Sequence, residues 1–521
     1  MSVALRSAEE LTAMRGRLRV FAEYDRDVHE TAEVVVIGSG PAGAVVAYEL
    51  AAAGRDVVLL EEGPPFTPGE YELEGGLSMA KTMRESGLRM TTGSIVPTMQ
   101  AICLGGGSLV NSAICVRPPA WVFDAWSELF ELRDTTRASL EPHFDAVGEM
   151  LGIAPTPEEV QGPRNLLFRE ACGVLGYSSE PIERNVRGCR GSGECFTGCR
   201  SRAKQSMDIS YVPHALERGA RVLTSVQVQQ LVPDGNRIRG VTGQVVAPFT
   251  GKRSHAVRID ADIVVLAAGC MATPVLLQKS GNLANRSDQV GRNLQFHPGV
   301  AVAGVFPEPI DVQFGATQGF QSLEFLERGF KLESLWAPPA VVAVRTPGFG
   351  HELLEHFADI PRTATWDAIC STHRSLGTVR ARRGRSLDPA LRWHLHPEDV
   401  PLLRTALHTL AQMFFAAGAE QILPGVARMS PVLHSLEEAE ALLSEAVAGR
   451  DLVTGGNHVF STTRMHGRPE SGVVDELGRC HDLDNLYIAD TGIFPRCPSV
   501  NPMYTAMALA RRQAHAIVDR L

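Results

Sequence analysis

Two polar residues near the end of the chain carry side chains that could move a proton and hold a polar group of a bound molecule. The imidazole of His458 gains and loses a proton near neutral pH, which suits a general base. The carboxamide of Asn501 can donate a hydrogen bond to an oxygen of a bound molecule and hold that molecule in place. Because Pro502 follows, Asn501 could instead be the N-cap of a helix, and the sequence leaves both roles open.

A glycine-rich turn near the start of the chain predicts a site for a dinucleotide. The apolar run at residues 33–37 predicts a buried strand, and Gly38, Gly40 and Gly43 follow it with GxGxxG spacing before a predicted helix. There the first glycine permits the tight turn, the second lets the backbone approach a pyrophosphate, and the third lets helix and strand pack closely. Glu61 ends the next predicted strand, where it could accept ribose hydroxyls. The alternative is a tight turn in an ordinary α/β domain.

The remaining pattern predicts the elements that would bring these residues together. Strand-like segments return at residues 219–269, and residues 301–345 alternate in a way typical of an antiparallel sheet. Residues 399–417 form a predicted amphipathic helix, and the chain closes with a predicted helix at 502–521. We therefore predict an α/β fold that combines a parallel, Rossmann-like domain with an α+β domain built on a mainly antiparallel sheet.

Composition narrows the classes of protein and of partner. The chain has 521 residues, a formal net charge of −9 and a pI near 6.0, which argues against nucleic acid as a partner. The sequence contains no apolar run of about 18 residues, so it predicts no membrane span. The first residues lack the layout of a secretion signal. The 10 cysteines show no secreted-scaffold pattern, so we expect a cytoplasmic protein with free thiols. Residues 1–30 carry a capping box and helical spacing, which predicts a docking helix.

One cluster of cysteines needs a separate interpretation. Cys189, Cys195 and Cys199 lie on a glycine-rich segment, and three thiolates so placed could hold a metal or an iron–sulfur cluster. A fourth ligand is absent nearby, which disfavours structural zinc. A loop of plain thiols and a disulfide are the alternatives.

Several segments, in order along the chain, resemble the glucose–methanol–choline (GMC) family of FAD-dependent alcohol oxidoreductases. They are residues 105–111, with the pattern GG-S-x-x-N, and residues 269–281, 290–298 and 486–490. The resemblance implies that the dinucleotide is FAD. The residues that we expect at the cofactor are Gly38, Gly40, Gly43, Glu61, Gly105, Gly106, Ser108, Asn111, Val228, Ala268, Asp490 and Pro502.

The same resemblance assigns roles to residues of the redox site. His458 lies in a stretch similar to the family's H-x-x-G-T-x-x-M, whose histidine is the base, although Ser461 stands where the family commonly has glycine. Asn501 matches the second active-site residue, and the helix after it would point its positive end at the flavin. Val110 stands where some members attach the flavin through a histidine, so we expect non-covalent FAD.

The family also implies a division into domains. We expect a discontinuous FAD-binding domain at residues 31–125, 205–300 and 451–521, and a substrate-binding domain at residues 126–204 and 301–450.

The expected reaction is the oxidation of a small-molecule alcohol to an aldehyde or ketone, with oxygen or another acceptor taking the electrons. Similar cysteine spacing occurs in sugar dehydrogenases of the family with a [3Fe-4S] cluster, and in long-chain alcohol oxidases without one. The cysteine spacing therefore leaves an iron–sulfur dehydrogenase as an alternative. Two further alternatives are a non-redox FAD-dependent lyase and a flavin-binding protein without turnover. The sequence leans slightly to a bulky or apolar alcohol over a sugar, and it leaves the oligomeric state open.

Overall fold

The computed structural model describes residues 16–311, 313–336, 343, 346–384 and 387–521. Its helices are α1 (Pro41–Ala52), α2 (Gly75–Thr82), α3 (Ala120–Phe130), α4 (Arg137–Leu151), α5 (Pro163–Leu175), α6 (Tyr211–Glu217), α7 (Ala272–Lys279), α8 (His351–Ala358), α9 (Val400–Ala416), α10 (Leu436–Ala439) and α11 (Met503–Val518). Its strands are β1 (Leu18–Arg19), β2 (Val28–Ile37), β3 (Val57–Leu60), β4 (Arg89–Met90), β5 (Thr92–Gly93), β6 (Pro97–Thr98), β7 (Ala154–Pro155), β8 (Glu180–Pro181), β9 (Glu183–Arg184), β10 (Arg221–Leu223), β11 (Val226–Asp234), β12 (Arg237–Val246), β13 (Arg253–Leu266), β14 (Gln295–Phe296), β15 (Gly299–Val305), β16 (Phe320–Ser322), β17 (Phe330–Leu335), β18 (Thr363–Cys370), β19 (Gly377–Ala381), β20 (Pro389–Trp393), β21 (Gln421–Leu423), β22 (Val459–Phe460) and β23 (Leu486–Ile488).

An eight-stranded sheet forms the nucleotide-binding part of the molecule. Its order is β1-β10-β3-β2-β13-β12-β11, and β23 pairs with the carboxyl end of β13. In this order, the four neighbouring pairs from β1 through β13 are parallel, and so is the pair of β13 with β23. The remaining two pairs, β13 with β12 and β12 with β11, are antiparallel. Val34, Val35 and Val36 are fully buried in the large core, as expected for a strand covered on both faces. The predicted parallel, Rossmann-like sheet is confirmed.

The first and last helices of this part pack against each other. Helix α1 follows β2, and α11 closes the chain, so packing between them joins segments more than four hundred residues apart in sequence. Small or apolar side chains of both helices, including Ala44, Ala47, Met507 and Ala510, are buried in the same core. Because the two helices touch, residues just before α1 and just before α11 lie on one side of the sheet.

A second sheet has six strands and is wholly antiparallel. Its order is β21-β15-β18-β17-β16-β8. Helix α9 covers one face, where the rings of Trp366 and Phe414 stack with centroids 3.9 Å apart and planes 9° from parallel. A Cβ on Gly304 would lie 2.2 Å from the Phe414 ring, so the close approach of helix and sheet requires glycine there. The mainly antiparallel sheet of the prediction is therefore confirmed.

The structure corrects the prediction of an N-terminal docking helix over residues 1–30. Residues 1–15 lie outside the described residues. Leu18–Arg19 is a strand that pairs in parallel with β10, and Phe21–Glu23 is a single 3₁₀ turn. The helix is wrong for this part because the edge of the parallel sheet offers backbone partners, and these outweigh the helical spacing of Leu18 and Phe21.

The structure also moves part of the predicted domain boundary. Residues 126–151 were assigned to the substrate-binding domain, yet Trp126, Leu140, Phe144 and Val147 pack in the core of the nucleotide-binding part. The second core takes in Phe168 of α5 together with β15, β17, β18 and α9. The other domain limits stay a prediction. Within the described ranges, no helix combines the length and the apolar character that crossing a membrane requires.

Candidate functional site

The three glycines of the first turn have different physical roles. Gly38 has a φ of +104°, and a Cβ on it would lie 2.3 Å from the carbonyl oxygen of Ala267. A Cβ on Gly43 would lie 2.0 Å from the carbonyl oxygen of Gly38. A Cβ on Gly40 would meet no heavy atom within 4 Å, and its φ of −61° suits any residue. The fold itself therefore requires Gly38 and Gly43, whereas the glycine at position 40 leaves room for a bound group at the N-terminus of α1.

A buried hydroxyl joins the predicted ribose carboxylate to the second glycine-rich loop. Ser39 donates to Glu61 from its backbone N–H (3.0 Å) and from its hydroxyl (2.6 Å), and the hydroxyl accepts from the N–H of Gly105 at 2.9 Å. The other carboxylate oxygen of Glu61 accepts from the N–H of Gly63 at 2.8 Å. These bonds fix Glu61 at the carboxyl end of β3, beside the first turn.

The second glycine-rich loop touches the first. Gly105 and Gly106 have φ values of +92° and +54°, and a Cβ on Gly106 would lie 2.8 Å from the Cα of Gly40. Ser108 lies inside the loop, where its hydroxyl donates to the Gly105 carbonyl and accepts from the N–H of Met207. Through these two hydrogen bonds, Ser108 stabilises the conformation of the loop.

The remaining predicted cofactor residues surround these two loops. Asn111 donates from its amide nitrogen to the sulfur of Met503 at 3.0 Å, which ties the second loop to the first residue of α11, directly after Pro502. Val228 lies near the start of β11, the strand whose Val226 N–H bonds to the carbonyl of Glu61.

Ala268 and Asp490 lie on the β13–β23 side of the same sheet edge. The Cα of Ala268 lies 3.2 Å from the Cβ that Gly38 would carry. The carboxylate of Asp490 accepts from the N–H groups of Gly269 and Gly492 and from the hydroxyl of Thr273, and burial raises its pKa to about 6. The two glycine-rich loops, Ala268 and Asp490 therefore lie around the carboxyl ends of β2, β3, β13 and β23, and the contact of each of the twelve residues with a cofactor stays a prediction.

His458 faces a second histidine across a short two-stranded sheet. Strand β22 follows His458 and pairs with β14, which ends just before His297. The two Nδ1 atoms are 3.2 Å apart, and the His297 N–H donates to the His458 carbonyl at 3.3 Å. Burial lowers the pKa of His458 to about 4 and holds the pKa of His297 well below its usual value, so both rings are neutral at pH 7.

The backbone conformation at Ser461 bears on why the family commonly has glycine at this position. Ser461 has a φ of +73°, in the left-handed region that glycine adopts most easily. Its N–H bonds to the carbonyl of Thr491, and its hydroxyl lies 3.4 Å from the side-chain oxygen of Gln295. A glycine is therefore the natural residue here, and the serine is held in this conformation by its buried partners.

Asn501 is engaged by a buried lysine and does not cap the last helix. Its Oδ1 accepts from the Nζ of Lys331 at 2.7 Å. Helix α11 begins at Met503, one residue later than predicted, and its N-cap is Pro502, whose side chain makes no capping hydrogen bond. The alternative role of Asn501 as a helix cap is therefore wrong, because its side-chain oxygen is engaged by Lys331 instead.

Sequence reasoning missed Lys331, Glu333 and a role for His297. Lys331 donates to Glu333 at 2.5 Å, and both are buried completely in the second sheet, on the face toward Asn501. The signal was present as two opposite charges two residues apart inside a strand whose other residues are mostly apolar. It was overlooked because such charges usually lie on a solvated face.

The three cysteines of the predicted cluster line one small cavity. Cys195 accepts from Arg184 at 3.0 Å, while Cys189 and Cys199 are partly exposed. Burial acts to raise the pKa of the Cys195 thiol, but the charges of Arg184 and Lys204 outweigh burial and lower the pKa. In the part of the chain that the structure describes, no group of three or more His, Cys, Asp or Glu side chains is placed to hold a metal ion.

The glycine geometry predicts opposite behaviour for two matched substitutions. Gly40→Ala should fold normally but bind FAD at least about tenfold more weakly, because the methyl group enters space that a pyrophosphate needs. Gly43→Ala should lower the stability of the protein itself by about 1–3 kcal/mol, because its methyl group meets the Gly38 carbonyl. Thermal unfolding of FAD-free protein and titration with FAD separate the two effects. An unchanged FAD affinity in Gly40→Ala would contradict the placement.

Comparison with solved structures shows the same fold. The chain superposes on pyridoxine 4-oxidase from Mesorbium loti with a TM-score of 0.70, at 19% identity, over 93% of this chain and 99% of that one. It superposes on a formate oxidase of Aspergillus oryzae with a TM-score of 0.73, at 17% identity, over 95% of this chain and 99% of that one.

Relatives by sequence span nearly the whole chain. An uncharacterized GMC-type oxidoreductase of Mycobacterium tuberculosis is 33% identical over 99% of this chain and 81% of its own length. A long-chain-alcohol oxidase of Arabidopsis thaliana is 29% identical over 94% of this chain and 67% of its own length. Residues 75–299 and 373–510 match the two parts of the GMC oxidoreductase family, and residues 33–88 match an FAD binding domain. The chain therefore belongs to the GMC oxidoreductase family and is an FAD-dependent oxidoreductase that acts on CH–OH groups.

Proposed function

We propose that the protein oxidises a small-molecule alcohol to an aldehyde or ketone, with His458 as the base that takes the hydroxyl proton. The observation that carries the proposal is the pairing of the neutral His458 ring with His297, beside the Asn501–Lys331 contact. The bound flavin supplies the hydride acceptor at its N5 atom. The protein supplies the base, the orientation of the alcohol and the exclusion of water.

The pair of imidazoles sets which nitrogen of His458 can accept a proton. Two neutral rings that meet at their Nδ1 atoms must share one hydrogen, with one ring as donor and the other as acceptor. When His458 donates, its Nε2 keeps a free lone pair and can take the proton of the alcohol. His297 thus acts as a positioning residue that holds the ring of the base in place.

The carboxamide of Asn501 provides the second anchor for the alcohol. An ammonium group can only donate hydrogen bonds, so the contact with Lys331 commits Oδ1 of Asn501 as an acceptor. The Nδ2 atom then carries the donors that can reach an alcohol oxygen. Base and donor together would hold the carbinol hydrogen toward the hydride acceptor.

The residues at the edge of the parallel sheet fit FAD. The open space at Gly40 and the N-terminus of α1 suit a pyrophosphate, and the buried carboxylate of Glu61 suits ribose hydroxyls. The N-terminus of α11 is held near the second loop through Asn111, and its positive partial charge would stabilise negative charge on a flavin bound there.

Relatives guide the choice of substrate and acceptor. Several are long-chain-alcohol oxidases of Arabidopsis thaliana, and a paromamine 6'-oxidase of Streptomyces fradiae is 26% identical over 95% of this chain. We favour a bulky, apolar alcohol as substrate and oxygen as acceptor.

All ten cysteines are free thiols in the structure, which supports a cytoplasmic location.

Substitution of the base tests the mechanism directly. His458→Ala should slow anaerobic reduction of the flavin by about 10²–10⁴-fold while FAD stays bound, because the alcohol proton then has no acceptor. Stopped-flow reduction with 1-dodecanol, benzyl alcohol, cholesterol and paromamine measures the rates. His29→Ala, an exposed histidine paired with Asp260, is the matched control and should reduce at the native rate. Native reduction in His458→Ala would disprove the assignment, and the absence of reduction by any alcohol would favour the lyase.

The attachment of the flavin can be tested by acid precipitation. Val110 is buried in the second loop and has no nucleophile, so we expect the acid-treated protein to lose its yellow colour to the supernatant. Flavin that stays with the precipitate would overturn the proposal of non-covalent FAD.

An iron–sulfur dehydrogenase is the second candidate function, because one cavity collects Cys189, Cys195 and Cys199. We favour a thiol loop, since the sulfur of Cys195 is already engaged by Arg184. Protein purified without iron should therefore retain full alcohol-dependent flavin reduction. An iron assay and the absorbance beside the flavin bands check this, and about three irons per active chain would establish the cluster instead.

A further inference from the structure

A completely buried ion pair lies on the wall of the proposed active site. Lys331 and Glu333 alternate with Phe330 and Leu332 along β17, so they point to the opposite face of the sheet. Phe330 and Leu332 pack in the second core, on the side covered by α9. Lys331 and Glu333 therefore form a polar patch on the face that meets Asn501, although neither side chain reaches solvent.

Hydrogen bonds connect this patch into one chain of polar groups. Gln318 donates to Oε2 of Glu333 at 2.6 Å, and Lys331 donates to Oε1 of Glu333 at 2.5 Å. Lys331 also donates to Oδ1 of Asn501 at 2.7 Å. The ammonium group thus bridges the carboxylate of the sheet and the carboxamide of the proposed site.

Stability alone gives a poor account of this pair. Removing two charges from water costs several kcal/mol per ion, and a well-packed apolar pair of similar volume often serves a core as well or better. The neighbouring positions of β17 show that the strand packs well with apolar side chains. The pair therefore points to a role in the site, and Asn501 is where its hydrogen bonds lead.

The pair also sets the charge around the base. Among the described residues, the neutral ring of His297 contacts His458, and the charges of Glu333 and Lys331 act on it. Glu333 acts to raise the pKa of His458 and Lys331 acts to lower it, so the two charges oppose each other there. Loss of either ion alone would leave one uncompensated charge near the ring.

We propose that Lys331 and Glu333 are positioning residues, which fix the carboxamide of Asn501 as a donor to the alcohol and balance the charge beside His458. This inference rests on the proposed function and assigns these two residues a part in it. A lysine without Glu333 would bring an unpaired positive charge to the base, and a neutral residue in place of Lys331 would let the carboxamide turn.

The test compares the limiting rate of anaerobic flavin reduction, and its dependence on pH, in three variants. The probe is the alcohol that reduces the native enzyme fastest in the panel above. In Lys331→Met the limiting rate should fall at least about tenfold. The pH below which protonation of His458 slows the reaction should rise by about one unit, because Glu333 then acts alone on His458. Lys331→Arg keeps the charge and a donor and should keep the native pH profile.

A double variant guards against misfolding. Lys331→Met with Glu333→Leu leaves no unpaired buried charge, so it should fold and bind FAD. It should show the lower limiting rate without the shift in pH, since both charges are gone. Arg239→Met, which breaks an exposed pair with Asp234, is the matched control and should change neither quantity.

A cycle with Asn501 decides whether the pair acts through the carboxamide. In an Asn501→Ala background, the double substitution should change the limiting rate by less than about twofold, because the group it positions is gone. A full tenfold further loss there, or a native rate in the double variant, would overturn the inference. Failure of the proposed function is distinct, because native enzyme would then not be reduced by alcohols or His458→Ala would reduce normally.

Discussion

The contact between the two glycine-rich loops is the constraint on which the rest of the site depends. The hydroxyl of Ser39 lies between Glu61 and the N–H of Gly105, and the backbone of Gly106 approaches that of Gly40 more closely than any side chain would permit. One network thereby fixes the first turn, the carboxylate of Glu61 and the second loop relative to one another. Since the second loop also contacts Met503, the position of the last helix follows from the same network.

The second sheet completes the site by presenting a polar face where a core would be expected. Its outer face packs on α9 through Trp366 and Phe414, which makes a rigid support. The inner face carries Lys331 and Glu333, whose position is set by the register of β17 with β16 and β18. A shift of one residue in that register would exchange Phe330 and Leu332 for the charged pair, so the stability of the outer core and the polarity of the inner wall depend on the same pairing.

The sequence was sufficient for the fold and for the geometry of the first glycine-rich turn, and insufficient for the contacts of Asn501 and for the N-terminal strand. The spacing of Gly38, Gly40 and Gly43 after an apolar strand has one common structural solution, and the structure adopts it. The contacts of Asn501 could not be predicted, because Asn-Pro before a helix normally means a cap and the competing partner is 170 residues away in the chain. The N-terminal strand was missed for a related reason, since pairing at a sheet edge depends on tertiary structure and overrides local helical spacing.

One buried amide explains how segments so distant in sequence reach a common geometry. Gln295 precedes His297 by two residues, and its side-chain oxygen accepts from the Cys497 N–H at 3.0 Å and lies 3.4 Å from the Ser461 hydroxyl. Gln295 therefore joins three segments. They are strand β14 before His297, the segment that follows His458, and the segment that precedes Asn501. Ser461 and Ser499 both have left-handed φ values, which for non-glycine residues cost about 1–3 kcal/mol each. The two serines lie three and two residues from His458 and Asn501, so both segments that present these side chains contain a left-handed residue, as several other segments of the described chain also do.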